Sequence, residues 1–121
     1  MPKEKFKEGF AGIDKHYQGL SEKYGYEINP PEQMINQLGY IYLNEKDFNK
    51  AIEVFEENVK RYSMSANVYD SLGEVLEKNG QMAEAEKSYA KAVKIGEEQK
   101  HSFLDVYRKN YERVQKNLTS K

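Results

Sequence analysis

The 121-residue chain has no cysteine. A disulfide framework, a thiolate metal site and a cysteine nucleophile are therefore excluded. Zero cysteines suit any redox compartment, so the compartment stays open on this ground. Charge of one sign is also lacking. The 19 basic and 20 acidic residues leave a net charge of −1, and the two signs are interspersed. Binding to nucleic acid requires a basic face, and none is visible, so no nucleic-acid partner is expected. No segment approaches the apolar length of a membrane span, and Met1-Pro2-Lys3-Glu4-Lys5 does not lead into a signal-peptide core. The expectation is a soluble chain without a membrane partner, cytoplasmic by default. Strictly alternating β-branched runs are missing, which argues against a sheet. What remains is rich in Glu, Lys, Ala, Leu and Gln. With 38% hydrophobic and 32% charged residues, the chain fits a thin, all-α domain with a modest core.

A 34-residue period runs through the middle. Residues 32–65 align with residues 66–99 so that Leu38-Gly39 recurs as Leu72-Gly73, Ala51 as Ala85, Phe55 as Tyr89 and Val59 as Val93. Ile35, Ile41 and Tyr42 map to Tyr69, Val75 and Leu76. The matched positions are apolar or small, and the polar ones between them drift. Such a unit cannot bury its apolar face alone and must stack on a neighbour.

Flanking segments complete one domain over residues 1–121. In residues 3–24, Phe6, Phe10, Ile13, Tyr17, Leu20 and Tyr24 form one apolar helical stripe. Gly9, Gly12 and Gly19 weaken this helix, so packing must hold it, and Gly25 is a suitable C′ residue. Asn29-Pro30-Pro31-Glu32 reads as a helix start, with Asn29 as N-cap, Pro30 at N1 and Glu32 reaching back. Asp47 and Ser65 cap the next two helices, which end near Tyr62 and Asn79-Gly80. A fourth unit helix spans residues 82–95 and closes at Gly96. A last helix over residues 98–117 carries Phe103, Val106, Tyr107, Tyr111 and Val114 as a capping stripe. Short turns make neighbouring helices antiparallel.

The repeat resembles the tetratricopeptide repeat. Its pattern is met at Ile35, Leu38-Gly39, Tyr42, Ala51 and Phe55, and again at Tyr69, Leu72-Gly73, Leu76, Ala85, Tyr89 and Ala92. Asn58 stands where a small residue is usual, and Ser63 and Glu97 replace the usual proline of the inter-repeat turn. The small residues allow close helix approach. The resemblance implies an α–α superhelix of two repeats, residues 32–65 and 66–99, between an N-terminal helix and a capping helix. A narrower resemblance covers residues 16–95. The runs Leu20-Ser21-Glu22-Lys23-Tyr24-Gly25-Tyr26, Pro30-Pro31-Glu32 and Ser65-Ala66-Asn67-Val68-Tyr69-Asp70 are similar to the C-terminal region of bacterial esterases of the α/β-hydrolase superfamily. That likeness implies an upstream catalytic domain, of which no Gly-x-Ser-x-Gly elbow is present here.

The chemistry-bearing residues are few. His16 and His101 lack metal-ligand spacing and read as boundary histidines. Asp14 and His16 diverge on a helix, as do His101 and Ser102, so neither pair makes an acid–base or nucleophilic set. No catalytic residue, metal or cofactor is expected. The tetratricopeptide resemblance implies a concave groove lined by the first helix of each repeat. The candidate partner-binding residues are Gln33, Asn36, Tyr40 and Leu43, then Asn67, Asp70, Glu74 and Glu77. Tyr40 and Leu43 form an apolar contact pair, and the carboxylates favour a basic or amide-rich partner. The lysine-based carboxylate clamp of some relatives is absent, since Asn36 and Asp70 occupy its positions. The expected function is a protein or interdomain interaction module, the non-catalytic C-terminal domain of a bacterial hydrolase. Its partner would be a peptide or a protein domain, the upstream hydrolase domain included. Two alternatives stand beside it: helices that cover and complete a hydrolase active site, and a free-standing adaptor or self-associating protein.

Overall fold

The computed structural model describes residues 9–119. Among these residues there are six helices and no strand. They are α1 (Gly9–Tyr24), α2 (Glu32–Asn44), α3 (Phe48–Arg61), α4 (Ala66–Lys78), α5 (Met82–Gln99) and α6 (Leu104–Thr119). Helices α2 and α3 form the first repeat, and α4 and α5 the second. Phe6, the first residue expected on the N-terminal stripe, lies outside the described residues.

Glycine sets the spacing inside each repeat. A Cβ on Gly39 would lie 2.5 Å from the Phe55 ring, and one on Gly73 would lie 2.7 Å from the Tyr89 ring. Both rings are fully buried, as are Ala51 and Ala85. The aromatic ring therefore lies directly on the bare backbone of the facing helix. Successive repeats then share apolar surface, since Phe55 and Ala51 cluster with Leu43 and Val75. Helix α1 covers the open face of the first repeat. Its Ile13 is fully buried against Ile35, Leu38 and Val54, flanked by Phe10 and Tyr17. Gly25 ends α1 at φ +77°, in the left-handed region that glycine adopts freely.

Three local expectations are corrected. Helix α2 begins at Glu32 with Pro31 in the N-cap position, without a side-chain cap. Pro30 cannot be the first helical residue because a residue preceding proline is driven out of the helical region. Glu32 does not reach back; its carboxylate accepts a hydrogen bond from the Ser65 hydroxyl. Ser65 sits in the N-cap position of α4 but makes no side-chain cap, since its hydroxyl is engaged there. Asp47, by contrast, caps α3 by accepting from the Lys50 N–H.

The largest departure is at the second repeat's end. Helix α5 does not stop at Gly96 but continues to Gln99, and Lys100 takes the left-handed turn at φ 52°. It has 18 residues where α3 has 14. The extra turn delays the start of α6 to Leu104. Tyr107 and Val114 are buried as expected, with Leu104, Tyr111 and Leu118 beside them at the same helical spacing. Phe103 and Val106 turn outward instead, 58% and 49% exposed. Gly96 has a packing role: a Cβ there would lie 3.2 Å from both Leu104 and Tyr107. It lets α6 close over Ala92 and Ile95.

Candidate functional site

The first helices of the two repeats, α2 and α4, run in the same direction. Glu32 meets Ser65 near their N-terminal ends, and the Tyr40 hydroxyl donates to Glu74 at 2.8 Å farther along. Helix α6 continues the row. The Asn110 amide donates to Asp70 at 2.8 Å, and Arg113 grips Glu77 through two nitrogens at 2.6 and 2.9 Å. A shared face thus crosses three helices.

Of the sequence candidates, Tyr40, Asp70, Glu74 and Glu77 make the contacts of this face, Gln33, Asn36 and Asn67 lie on the same two helices, and Leu43 is in the core. It is 6% exposed and packs with Phe55, Ala51 and Val75 in the core. The apolar pair of Tyr40 and Leu43 is therefore not a ligand contact. Leu43 faces inward because the ring beside it is an apolar phenylalanine, whereas its counterpart at the 34-residue offset, Glu77, faces a tyrosine. In the first repeat Leu43 packs on Phe55; in the second, Tyr89 donates its hydroxyl to Glu77 at 2.8 Å. Both partners changed from apolar to polar together. That paired exchange was visible in the sequence and could have revealed the Tyr89–Glu77 bond. The addition of Arg113 could not be read, because α6 lies outside the repeat register.

Tyr40 is half-buried and committed. Its ring meets Phe55 edge-on at 5.2 Å between centroids, and its hydroxyl lies 3.4 Å from Ser71. Burial, with the Glu74 carboxylate, pushes the phenol well above its ordinary range, so it remains a donor. Tyr89 is raised in the same way, by burial and then by Glu77. Arg113 and Glu77 stabilise each other's charge. The Arg113 hydrogen bonds hold Glu77 below the usual carboxylate range, and Glu77 raises Arg113. Asp70 moves the other way. Burial raises it, and the Asn110 hydrogen bond only partly offsets that.

The acidic character expected of the second repeat is only partly compensated within the fold, because the Asn110 amide beside Asp70 carries no charge. Glu74 pairs with Lys78 at 3.4 Å, Glu77 with Arg113, and Asp70 with Asn110. The amides are different. Gln33 is exposed, Asn67 is half-buried, and neither side chain has a hydrogen-bond partner in the fold. The Asn36 amide oxygen is enclosed without a partner.

A cleft of about 530 Å³ opens where α4, α5 and α6 meet, lined by Glu77, Lys78, Met82, Tyr89 and Arg113. A larger one of about 570 Å³ lies between α1 and α3, around Phe10, Asp14, Lys50 and Glu57. Neither contains a histidine. His16 meets the Tyr17 ring edge-on, and His101 accepts the Phe103 N–H at 3.0 Å through Nδ1. Among the described residues no three His, Cys, Asp or Glu side chains gather as a metal ion would need, and no helix is long and apolar enough to cross a membrane.

Two stacked helix pairs, each closed by an aromatic ring on a glycine, define a helical-repeat scaffold. The family model for the tetratricopeptide repeat matches residues 32–62 and 66–98, over half of the chain. The chain belongs to the tetratricopeptide repeat family, whose repeats serve as protein–protein interaction modules. No curated protein and no solved structure is significantly similar to it.

Proposed function

We propose that the chain is a non-catalytic module that holds a peptide segment or a neighbouring domain on the shared face of α2 and α4. The observation that carries this reading is the set of uncommitted amides. Gln33 and Asn67, whose side chains have no partner in the fold, lie between two cross-links, Glu32 to Ser65 and Tyr40 to Glu74, that fix the two helices relative to each other. A polar surface held rigid from below and unpaired above suits recognition with little reordering on binding. The resemblance of residues 16–95 to hydrolase C-terminal regions supports an upstream hydrolase domain as one such partner.

The test is an unbiased selection from a random-peptide display library on the full chain. Binding is then compared between the wild type and a Gln33→Arg, Asn67→Arg double variant that fills the face with long cations. Selected peptides should bind the variant at least about tenfold more weakly, a loss of roughly 1.4 kcal/mol. Its helical signal and melting temperature should be unchanged. Equal binding by the two forms would remove this face as the working surface.

A further inference from the structure

The large apolar side chains left exposed on the described residues all gather at one end of the helices. Tyr24 and Tyr26 flank the α1–α2 turn, Met64 lies in the α3–α4 turn, and Phe103 and Val106 stand at the entry to α6, each between 49% and 67% exposed. The turns at the other end, Glu45-Lys46-Asp47 and Asn79-Gly80-Gln81, carry no apolar side chain.

Hydrogen bonds tie the apolar turns into one edge. The Tyr62 hydroxyl donates to the Pro30 carbonyl at 2.6 Å, and the Gln99 amide donates to the Met64 carbonyl at 2.8 Å. Ser21 braces the first turn by accepting the Ile28 N–H at 2.7 Å. His101 braces the last: its Nδ1 accepts the Phe103 N–H, and its ring lies 5.6 Å from the Phe103 ring. Phe103 is still 58% exposed beside it. An edge held in this way loses little freedom on association.

Charge and area decide what fits the edge. Exposed Lys23, Lys60 and Lys100 stand around it against exposed Glu22, Glu27 and Glu98, and none of the six is in an ion pair among the described residues. An anionic membrane would call for an excess of cations, which this balance lacks. A second copy of the same edge meets both signs. An aromatic side chain withdrawn from water covers about 150–250 Å², so the row presents roughly 400–500 Å². A stable interface takes about 800 Å² from each partner, a little over half of it apolar. The row supplies that apolar share, and the six charges supply a rim.

We infer that the chain forms a twofold dimer through this edge. The row has aromatic residues at both ends and Met64 in the middle, an order that reads alike from either direction. A twofold axis near Met64 sets Met64 on its copy and the Tyr24–Tyr26 pair on Phe103 and Val106 of the second chain. The same rotation brings Lys23 toward Glu98 and Glu27 toward Lys100. This inference stands on a different observation from the function proposed above and does not depend on it.

The experiment is sedimentation equilibrium of the full chain. The mass should rise from one chain to two below about 1 mM. Met64→Lys puts like charges on the axis and should weaken the dimer at least about tenfold, as should Tyr26→Lys. Both residues are exposed, so the helical signal should hold. The chain has no cysteine, so Met64→Cys introduces a single thiol. Mild oxidation should link this variant to itself and leave Glu45→Cys, at the opposite end, unlinked. A chain that stays single at about 1 mM would overturn the inference, whether or not its edge then takes up selected peptides or vesicles of phosphatidylcholine and phosphatidylserine. A dimer that both lysine variants leave intact, with Met64→Cys unlinked, would overturn it as well.

Discussion

Replacing Gly39 with alanine adds one methyl group at the tightest point in the first repeat. In an exposed helix the change would stabilise by about 1 kcal/mol, because glycine is the poorer helix former. Here the new Cβ would sit 2.5 Å from the Cε1 and Cζ atoms of Phe55. The Phe55 ring is fully buried, with Tyr40 edge-on against it and Leu43, Ala51 and Val75 around it, so it has nowhere to retreat. Overpacking of this kind costs about 1–3 kcal/mol, and the confinement of the ring puts the cost near the upper end. The net loss is about 2 kcal/mol. Unfolding entropy of about 2 cal/mol/K per residue makes that roughly 8 °C for a chain of this length. The assay is thermal denaturation followed by circular dichroism, with two companions. Gly19→Ala, whose Cβ would meet nothing within 4 Å, should raise the melting temperature and so supplies the sign of the propensity effect alone. Gly39→Ala combined with Phe55→Leu should be less destabilised than the sum of the single changes, by about 1 kcal/mol or more. If Gly39→Ala melts at or above the wild type, or the two changes simply add, the account of glycine as the seat of the aromatic ring is wrong.

Other consequences are equally direct. Leu43→Ala should destabilise by about 2–5 kcal/mol in chemical denaturation, because the residue is core and not groove. Asp70→Asn should raise the melting temperature at pH 7, since burial penalises the charge there. The gain should vanish near about pH 3, because a carboxyl whose value is raised on folding loses its penalty once protonated. Glu77 has the opposite sign. Its lowered value adds stability above the ordinary carboxylate range that is lost as pH falls through the folded value. Arg113→Gln should therefore cost up to about 1 kcal/mol at neutral pH, the modest figure expected of a half-exposed guanidinium, and nothing in strong acid. Removing residues 100–121 should expose Ala92, Ile95 and Tyr89 and cause aggregation, read by light scattering.

Much of the fold was legible because packing geometry repeats at a fixed offset. The Gly39–Phe55 and Gly73–Tyr89 contacts follow from the period itself. The start of α2 was misplaced because a capping pattern at Asn29 outweighed the constraint that Pro31 puts on Pro30. The end of α5 is not legible because Gly96 has the look of a helix terminator, whereas its missing side chain makes room for Tyr107 and Leu104. With α6 starting only at Leu104, Phe103 and Val106 fall outside the packed stripe that Tyr107, Tyr111 and Val114 keep. On the candidate face, the family positions point to the first helix of each repeat and to the side chains proposed there. They could not reveal which of those side chains the fold itself consumes. The partners of Asp70 and Glu77 come from α6, and no local pattern announces Asn110 or Arg113.

Whether the α2 and α4 face is the working surface is tested most directly by a resonance-by-resonance NMR titration of the full chain with a selected peptide. The side-chain amide signals of Gln33, Asn36 and Asn67 should shift together with backbone signals of α2, α4 and the first turns of α6. Signals of α3 and of the outer side of α5 should stay in place. Shifts confined to the cleft between α1 and α3, or to the turns carrying Tyr26 and Met64, with the three amides unmoved, would contradict the assignment.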